Sequence, residues 1–310
     1  MKQKLLYLAA ASLISFQALA QQDGFLPSQL EAQKKFEGDF LKAVNFDRFK
    51  VHLSELTKNP HIAGTPENEL VKDYMVKTMA DAGMDVKVWP YDVYLPNHPG
   101  KSELQIISPV QMTLSQKEGA LPDDPFSADP RLHLGFNAFS GSGDVTAEVV
   151  YVNYGTREDF MKLAEMGVPL AGKVAVARYG GNFRGYKAKY AEQYGMIGLV
   201  VYTDPKDSGF TRGEVYPKGP FFNETTIQRG SMLTLDFTGD PLTPNRPALP
   251  LDGVKKIKRD NPADVDFHTI PVTPIGYGAA KEILSRMTGS EAPEAWQGPR
   301  RSSLSARSCG

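Results

Sequence analysis

Hydrolytic, redox and phosphoryl chemistry each need particular side chains brought together, and few segments of this 310-residue sequence offer them. The five histidines, His52, His61, His98, His133 and His268, are isolated from one another. None pairs at the i, i+4 spacing by which an HExxH helix grips zinc, so they are assigned to surface or turn positions. Cys309 is the sole cysteine and has no histidine nearby, and no G-x-S-x-G elbow is present. Nucleophilic catalysis therefore has no candidate. GGNFRG, Gly180 to Gly185, has the outer glycine spacing of a phosphate loop. Tyr186 and Lys187 follow it where a nucleotide cradle needs Lys and then Ser or Thr, which speaks against nucleotide binding. What remains is Arg184, at the opening of a helix directly after a strand. A guanidinium fork beside free helix N–H groups makes a strong carboxylate site. The plainer alternative is a solvated arginine paired with a surface glutamate.

The elements that must position Arg184 are written as an alternation. TAEVVYVNYG predicts a strand, TREDFMKLAEMG a helix ending at Gly167, GKVAVARYG a strand, FRGYKAKYAEQYG a helix ending at Gly195, and MIGLVVYTDP an apolar strand. Such alternation implies an α/β unit with strands paired around helical crossovers. Upstream, Phe36, Phe40 and Val44, then Phe49, Leu53 and Leu56, recur at helical spacing, giving two amphipathic helices joined near Asn45. In a third helix Thr65 caps, Pro66 takes the first position and Gly83 closes, with Leu70, Val71, Tyr74, Met75 and Met79 as its buried stripe. MDVKVWPYDVYL then alternates with a period of two and predicts strands. Ser208 to Asp252 predicts a long irregular loop, and TIPVTPIGYGAAKEILSRMTG a strand, a turn and a helix with Ala280, Ile283, Leu284 and Met287 on one face.

Thirty-five Lys and Arg balance 36 Asp and Glu, leaving no electrostatic footprint for nucleic acid or an anionic membrane; a small molecule or peptide is the expected partner. Residues 1–20, with Lys2 and Lys4 before an apolar run and Ala-Leu-Ala at the end, read as a signal peptide. The run is well short of the roughly 20 residues that span a bilayer, so the expected location is secreted or periplasmic, with no membrane anchor. Residues 299–310 are rich in Ser and Arg and lack any period that would make a packed helix or strand.

HIAGTPEN, VYVNYGTREDF, GKVAVARYGGNFRGYK, VVYTDP, IQRG, GDPLTP and IPVTPIGY, in this order and spacing, resemble the zinc peptidase family of glutamate carboxypeptidase II and the transferrin receptor. The resemblance runs from about Asn45 to Gly298. It implies an α/β fold: a signal peptide at 1–20, the N-terminal segment of a zinc-peptidase domain at 21–94, an incomplete protease-associated (apical) domain at 95–298 and an unrelated tail at 299–310. The function implied for the intact parent is hydrolysis of small peptides with an acidic C-terminal residue by two zinc ions, in a homodimer. The family's zinc ligands fall beyond this chain, which is expected to be catalytically inactive. A reading-frame slip or gene-model break near Pro299 and a genuinely shortened protein are both open. A non-catalytic, receptor-like or peptide-binding protease-associated module is the alternative function. On the residues retained, Arg184 matches the family arginine that holds a terminal glutamate carboxylate, and Phe183 its neighbour. Ser231 stands where that enzyme has an Asn, which alters one substrate contact. GDPLTP resembles a calcium loop with Thr243 at a matching position, but Arg246 replaces a tyrosine.

Overall fold

The computed structural model describes residues 24–297 and the backbone of Ser308–Cys309. The expected signal sequence lies outside the described residues, as does most of the stretch from Pro299. The chain divides into two compact units, one ending at Lys58 and one beginning at Asn59.

The first unit holds α1 (Leu30–Ala43) and α2 (Phe46–Thr57). Asn45 breaks between them because its side-chain oxygen accepts from the backbone N–H groups of Asp47 and Arg48 at 3.0 and 3.2 Å, capping α2. The spacing of Phe36, Phe40, Phe49 and Leu53 is helical as expected, yet each of these side chains is exposed.

The second unit begins with α3 (Pro66–Asp81), capped by the Thr65 hydroxyl and followed by Gly83 at φ 83°. The stripe expected to be buried on this helix is not: Leu70 is 62% exposed, Met75 45%, and the helix contains no buried residue. Periodicity selects a face, but only a partner surface can cover it. The same reason corrects the strands expected in MDVKVWPYDVYL. This segment forms no ladder and is held by separate bonds, among them Asp92 N to Ala248 O at 3.0 Å, Leu251 N to the Asp92 carboxylate at 2.7 Å and Tyr94 N to the Asp240 carboxylate at 2.5 Å.

Two short pairings follow. β1 (Gln105–Ile106) runs antiparallel to β2 (Met112–Thr113), and β3 (Asn137–Ala138) runs parallel to β7 (Gly230–Ser231), which lies in the long irregular segment. The main sheet is built from β4 (Val149–Tyr151), β5 (Val174–Arg178), β6 (Gly198–Tyr202) and β8 (Val272–Ile275), all parallel and adjacent in sequence order. α4 (Arg157–Glu165) and α5 (Arg184–Gln193) make the crossovers, and α7 (Tyr277–Leu284) follows β8; the short α6 (Pro205–Ser208) follows β6. A parallel sheet covered on its faces needs near-continuous apolar strands, which explains why all five residues of β6 are buried. Phe160 and Leu163 from α4, Ala188 and Ala191 from α5, and Ala280, Ile283 and Leu284 from α7 join one core with the strands. Thr156 and Asp159 form a reciprocal capping box that starts α4. In the tail expected to form no strand, Ser308–Cys309 (β10) pair antiparallel with Ser290–Glu291 (β9), a backbone interaction that needs no apolar period.

Candidate functional site

Arg184 is placed by the turn between β5 and α5. Gly180 and Gly181 take φ values of 99° and 74°, where only glycine is at ease, and a Cβ on Gly181 would come within 2.7 Å of the Tyr154 Cβ. The turn ends at Phe183, the N-cap of α5, whose side chain has no oxygen with which to cap. The helix therefore opens with free N–H groups and the positive end of its dipole beside Arg184.

The guanidinium is half-buried. Its carbon lies 5.6 Å from the centre of the Tyr179 ring and 5.5 Å from that of Phe183, so two aromatic faces flank it. Nη1 points at the Ser231 carbonyl oxygen across 3.5 Å, while Nε is buried without a hydrogen-bond partner. Gly230 leaves the room: a Cβ there would lie 2.2 Å from Nη1. Among the described residues no carboxylate pairs with Arg184, so it is not the surface ion pair of the plainer alternative. Of the three site residues expected, Arg184 and Phe183 are adjacent, and Ser231 is brought to them from 47 positions away by the β3–β7 pairing. Ser231 faces Arg184 with its carbonyl, and its hydroxyl accepts from the Leu233 N–H at 3.1 Å.

Sequence reasoning missed three further residues around this site. Tyr179 is buried, which pushes its phenol up, and donates to the Gln228 carbonyl at 2.9 Å. Asn137, across β3–β7 from Gly230, lies 3.3 Å from the Tyr179 hydroxyl. Lys187, fully buried, donates from Nζ to the carbonyls of Tyr154 and Gly180 and to Asn182 Oδ1, the last two at 2.7 Å. The position of Tyr179 just past the carboxyl end of a parallel strand was the available signal, since sites of α/β folds gather there. Beneath it, Arg178 is 1% exposed, donates to Asn153 Oδ1 at 2.5 Å and lies 4.0 Å from the centre of the Tyr154 ring. Burial, then a bond to Asp207, pushes the Tyr154 phenol up to about 12.

One histidine assignment is corrected. His268 is not a surface or turn residue: its side chain is nearly buried, with Nδ1 2.7 Å from the Glu192 carboxylate and Nε2 3.1 Å from the Thr234 hydroxyl. Among the described residues no group of three or more His, Cys, Asp and Glu side chains could hold a metal ion. In the GDPLTP loop Asp240 accepts from the N–H groups of Tyr94 and Leu242, and the Thr243 hydroxyl donates to the Arg246 carbonyl. Those oxygens are engaged internally. A recess of about 550 Å³ has a lining that does not include Arg184, and its Lys189, Lys258 and Arg259 are offset by Asp236, Asp260, Asp264 and Asp266.

The PA domain family model matches residues 145–235, a range that contains Phe183, Arg184 and Ser231. The class is therefore that of an α/β protein carrying a PA domain. Sequence relatives narrow it. The glutamate carboxypeptidase 2 homolog of Caenorhabditis elegans is 34% identical over 82% of this chain and 34% of its own length. The aminopeptidase NAALADL1 of Mus musculus is 32% identical over 82% of this chain and 35% of its own. A probable glutamate carboxypeptidase of Arthroderma benhamiae is 41% identical over 60% of this chain and 26% of its own. Over most of its length the chain is homologous to the glutamate carboxypeptidase family, and it spans about a third of the length of the curated relatives it matches. Among solved structures, a zinc aminopeptidase from Bacillus subtilis aligns over 76% of this chain and 40% of its own, at 16% identity and a TM-score of 0.35.

Proposed function

We propose that this chain is the PA-domain-bearing portion of an exported peptidase of the glutamate carboxypeptidase type, and that its own contribution is to bind the terminal carboxylate of a small acidic peptide at Arg184. The observation that carries the reading is the half-buried Arg184 guanidinium, flanked by two aromatic rings, with an unpartnered Nε and no carboxylate of its own. A ligand carboxylate would supply the missing acceptor through charge-assisted bonds, strengthened by the helix end. Phe183 walls the site, and the backbone at Ser231 limits its width.

The family resemblance brings two zinc ions to the whole protein. The described residues do not fit such a centre, because no three suitable ligands converge among them, and no step of hydrolysis is assigned to this chain. Binding alone does not lower a chemical barrier. The recombinant chain, supplied with zinc, is expected to bind N-acetyl-Ala-Glu, to lose that binding in Arg184→Ala, and to cleave no peptide above a blank. Cleavage above the blank, or undiminished binding by Arg184→Ala, overturns the proposal. The relatives carry both carboxypeptidase and aminopeptidase names, which favours a second reading in which the peptide enters by its amino end. A C-terminally amidated peptide with a free amine that binds better than N-acetyl-Ala-Glu would establish that reading.

A further inference from the structure

Thr234, His268 and Glu192 come from three places in the second unit: shortly after β7, the segment leading into β8, and the last turn of α5. Hydrogen bonds link them in a row. His268 Nδ1 lies 2.7 Å from Glu192 Oε2, and His268 Nε2 lies 3.1 Å from the Thr234 hydroxyl. The other Glu192 oxygen accepts from the Thr269 N–H at 2.5 Å, the Thr269 hydroxyl at 2.9 Å and the Ile270 N–H at 3.2 Å, so the carboxylate is held in place. A carboxylate only accepts, which makes Nδ1 the donor of the neutral ring and leaves the Nε2 lone pair for the Thr234 proton. A hydroxyl within hydrogen-bond reach of an imidazole that a third group orients is the arrangement by which an alcohol becomes a nucleophile. Thr234 also borders open space: it is half-buried and lines the recess of about 550 Å³, whereas His268 is not part of that lining. The imidazole therefore stands behind the hydroxyl.

We propose that Thr234 is an acyl acceptor, which takes the acyl group of an uncharged ester or thioester whose leaving group departs as an anion. The Thr234 oxygen bonds to the carbonyl carbon as its proton passes to His268 Nε2. The bond from that carbon to the leaving oxygen or sulfur then breaks with its electron pair, the proton is lost to solvent, and a Thr234 ester remains. Leu235, Phe237 and Val265 give the recess an apolar wall for the acyl chain, and its four aspartates outnumber its three cations, which disfavours an anionic donor. Lys189, one helical turn before Glu192 on α5, lines the same recess and offers an ammonium to the charge that develops on the carbonyl oxygen. Glu192 is a positioning residue, acting through His268. An amine leaving group must receive a proton as it departs, and an imidazole behind the hydroxyl is badly placed to deliver one, so peptide bonds are not substrates. Release of the ester by water is slow for the same reason. The inference is independent of the carboxylate site at Arg184.

The experiment treats the full chain with p-nitrophenyl acetate and follows p-nitrophenolate by absorbance, the chain by intact mass and the site by peptide mapping. The expected result is a burst of one p-nitrophenolate per chain, one acetyl group gained on Thr234, and little turnover afterwards. His268→Gln should slow the burst about 100- to 10,000-fold, the range that a positioned general base contributes. Thr234→Val, close in shape, should show no burst, and Thr234→Ser should keep it. Glu192→Gln should slow the burst without lowering its amplitude, whereas a mere loss of folded protein would lower the amplitude. Acetyl groups spread over lysines with Thr234 bare, a wild-type burst rate in His268→Gln, or an undiminished burst in Thr234→Val overturns the proposal. Should these variants not fold, the map of the wild type decides: an acetyl group on Thr234 ahead of every lysine upholds the proposal, and a bare Thr234 overturns it.

Discussion

Gly230→Ala tests the geometry of the site with the smallest possible change. A Cβ at position 230 would stand 2.2 Å from Arg184 Nη1, 2.6 Å from the guanidinium carbon and 3.1 Å from Nη2. Heavy atoms rest comfortably at about 3.5 Å, so the guanidinium must retreat by about 1 Å. The atoms that must move are the end of a flexible side chain, so overpacking costs near the low end of about 1–3 kcal/mol, but Gly230 also holds φ 157°, which side chains rarely adopt, and backbone strain of about 1–3 kcal/mol adds to it. Ligand binding should suffer too. Charge-assisted hydrogen bonds are worth about 1.5–3 kcal/mol each, so losing one to a 1 Å displacement weakens the carboxylate complex roughly 10- to 100-fold. Calorimetric titration with N-acetyl-Ala-Glu measures the loss, and a thermal scan of each variant measures the strain. Arg184→Met serves as the partner in a double-mutant cycle. If the alanine acts by displacing the guanidinium, adding Gly230→Ala to Arg184→Met should change affinity little further. Additive losses, or a Gly230→Ala variant that binds like wild type, would refute the placement of the carboxylate at Arg184.

Other expectations concern stability. Phe160→Ala, which removes a wholly buried ring stacked on Tyr194 with centroids 5.3 Å apart, should cost about 3–5 kcal/mol in chemical denaturation. Burial pushes the Glu192 carboxyl up, but bonds from His268, Thr269 and Ile270 outweigh it and hold the group below its ordinary value of 4.5. Its stabilisation is therefore complete above that value and lost as pH falls through the depressed folded one, so Glu192→Gln should lower stability at pH 7 and flatten the acid limb of a pH–Tm profile. Lys187 acts in the opposite range: with folded proton affinity down to about 7 from 10.5, it adds stability as pH rises between those values, and Lys187→Met should remove that slope. Replacing exposed Leu70 and Met75 with Glu and Lys should raise the solubility of the chain and leave its Tm unchanged, measured by light scattering and a thermal scan.

The strand and helix order from Val149 to Leu284 was legible in the sequence because each element there carries its own local signals. Apolar runs mark strands buried on both faces, and Gly167 and Gly195, at φ 71° and 72°, mark helix ends that a side chain would strain. The Thr65 cap and the Asn45 break were readable for the same reason, since a capping oxygen acts within three residues. Arg184 and Phe183 were legible as a pair because they are neighbours. What the sequence could not decide is every property that depends on a partner distant along the chain. The apolar faces of α1 to α3 and the alternation of residues 84–95 show which side prefers cover, and that preference is the same whether or not a second surface meets it. His268 joins Glu192 across 76 positions, Lys187 is sealed between two turns, and Gly230 makes the space that the Arg184 guanidinium fills. Local propensity acts over one turn of helix or one strand, whereas burial and charge pairing arise only when the chain has folded back on itself, and those forces decide what surrounds an arginine at a helix start.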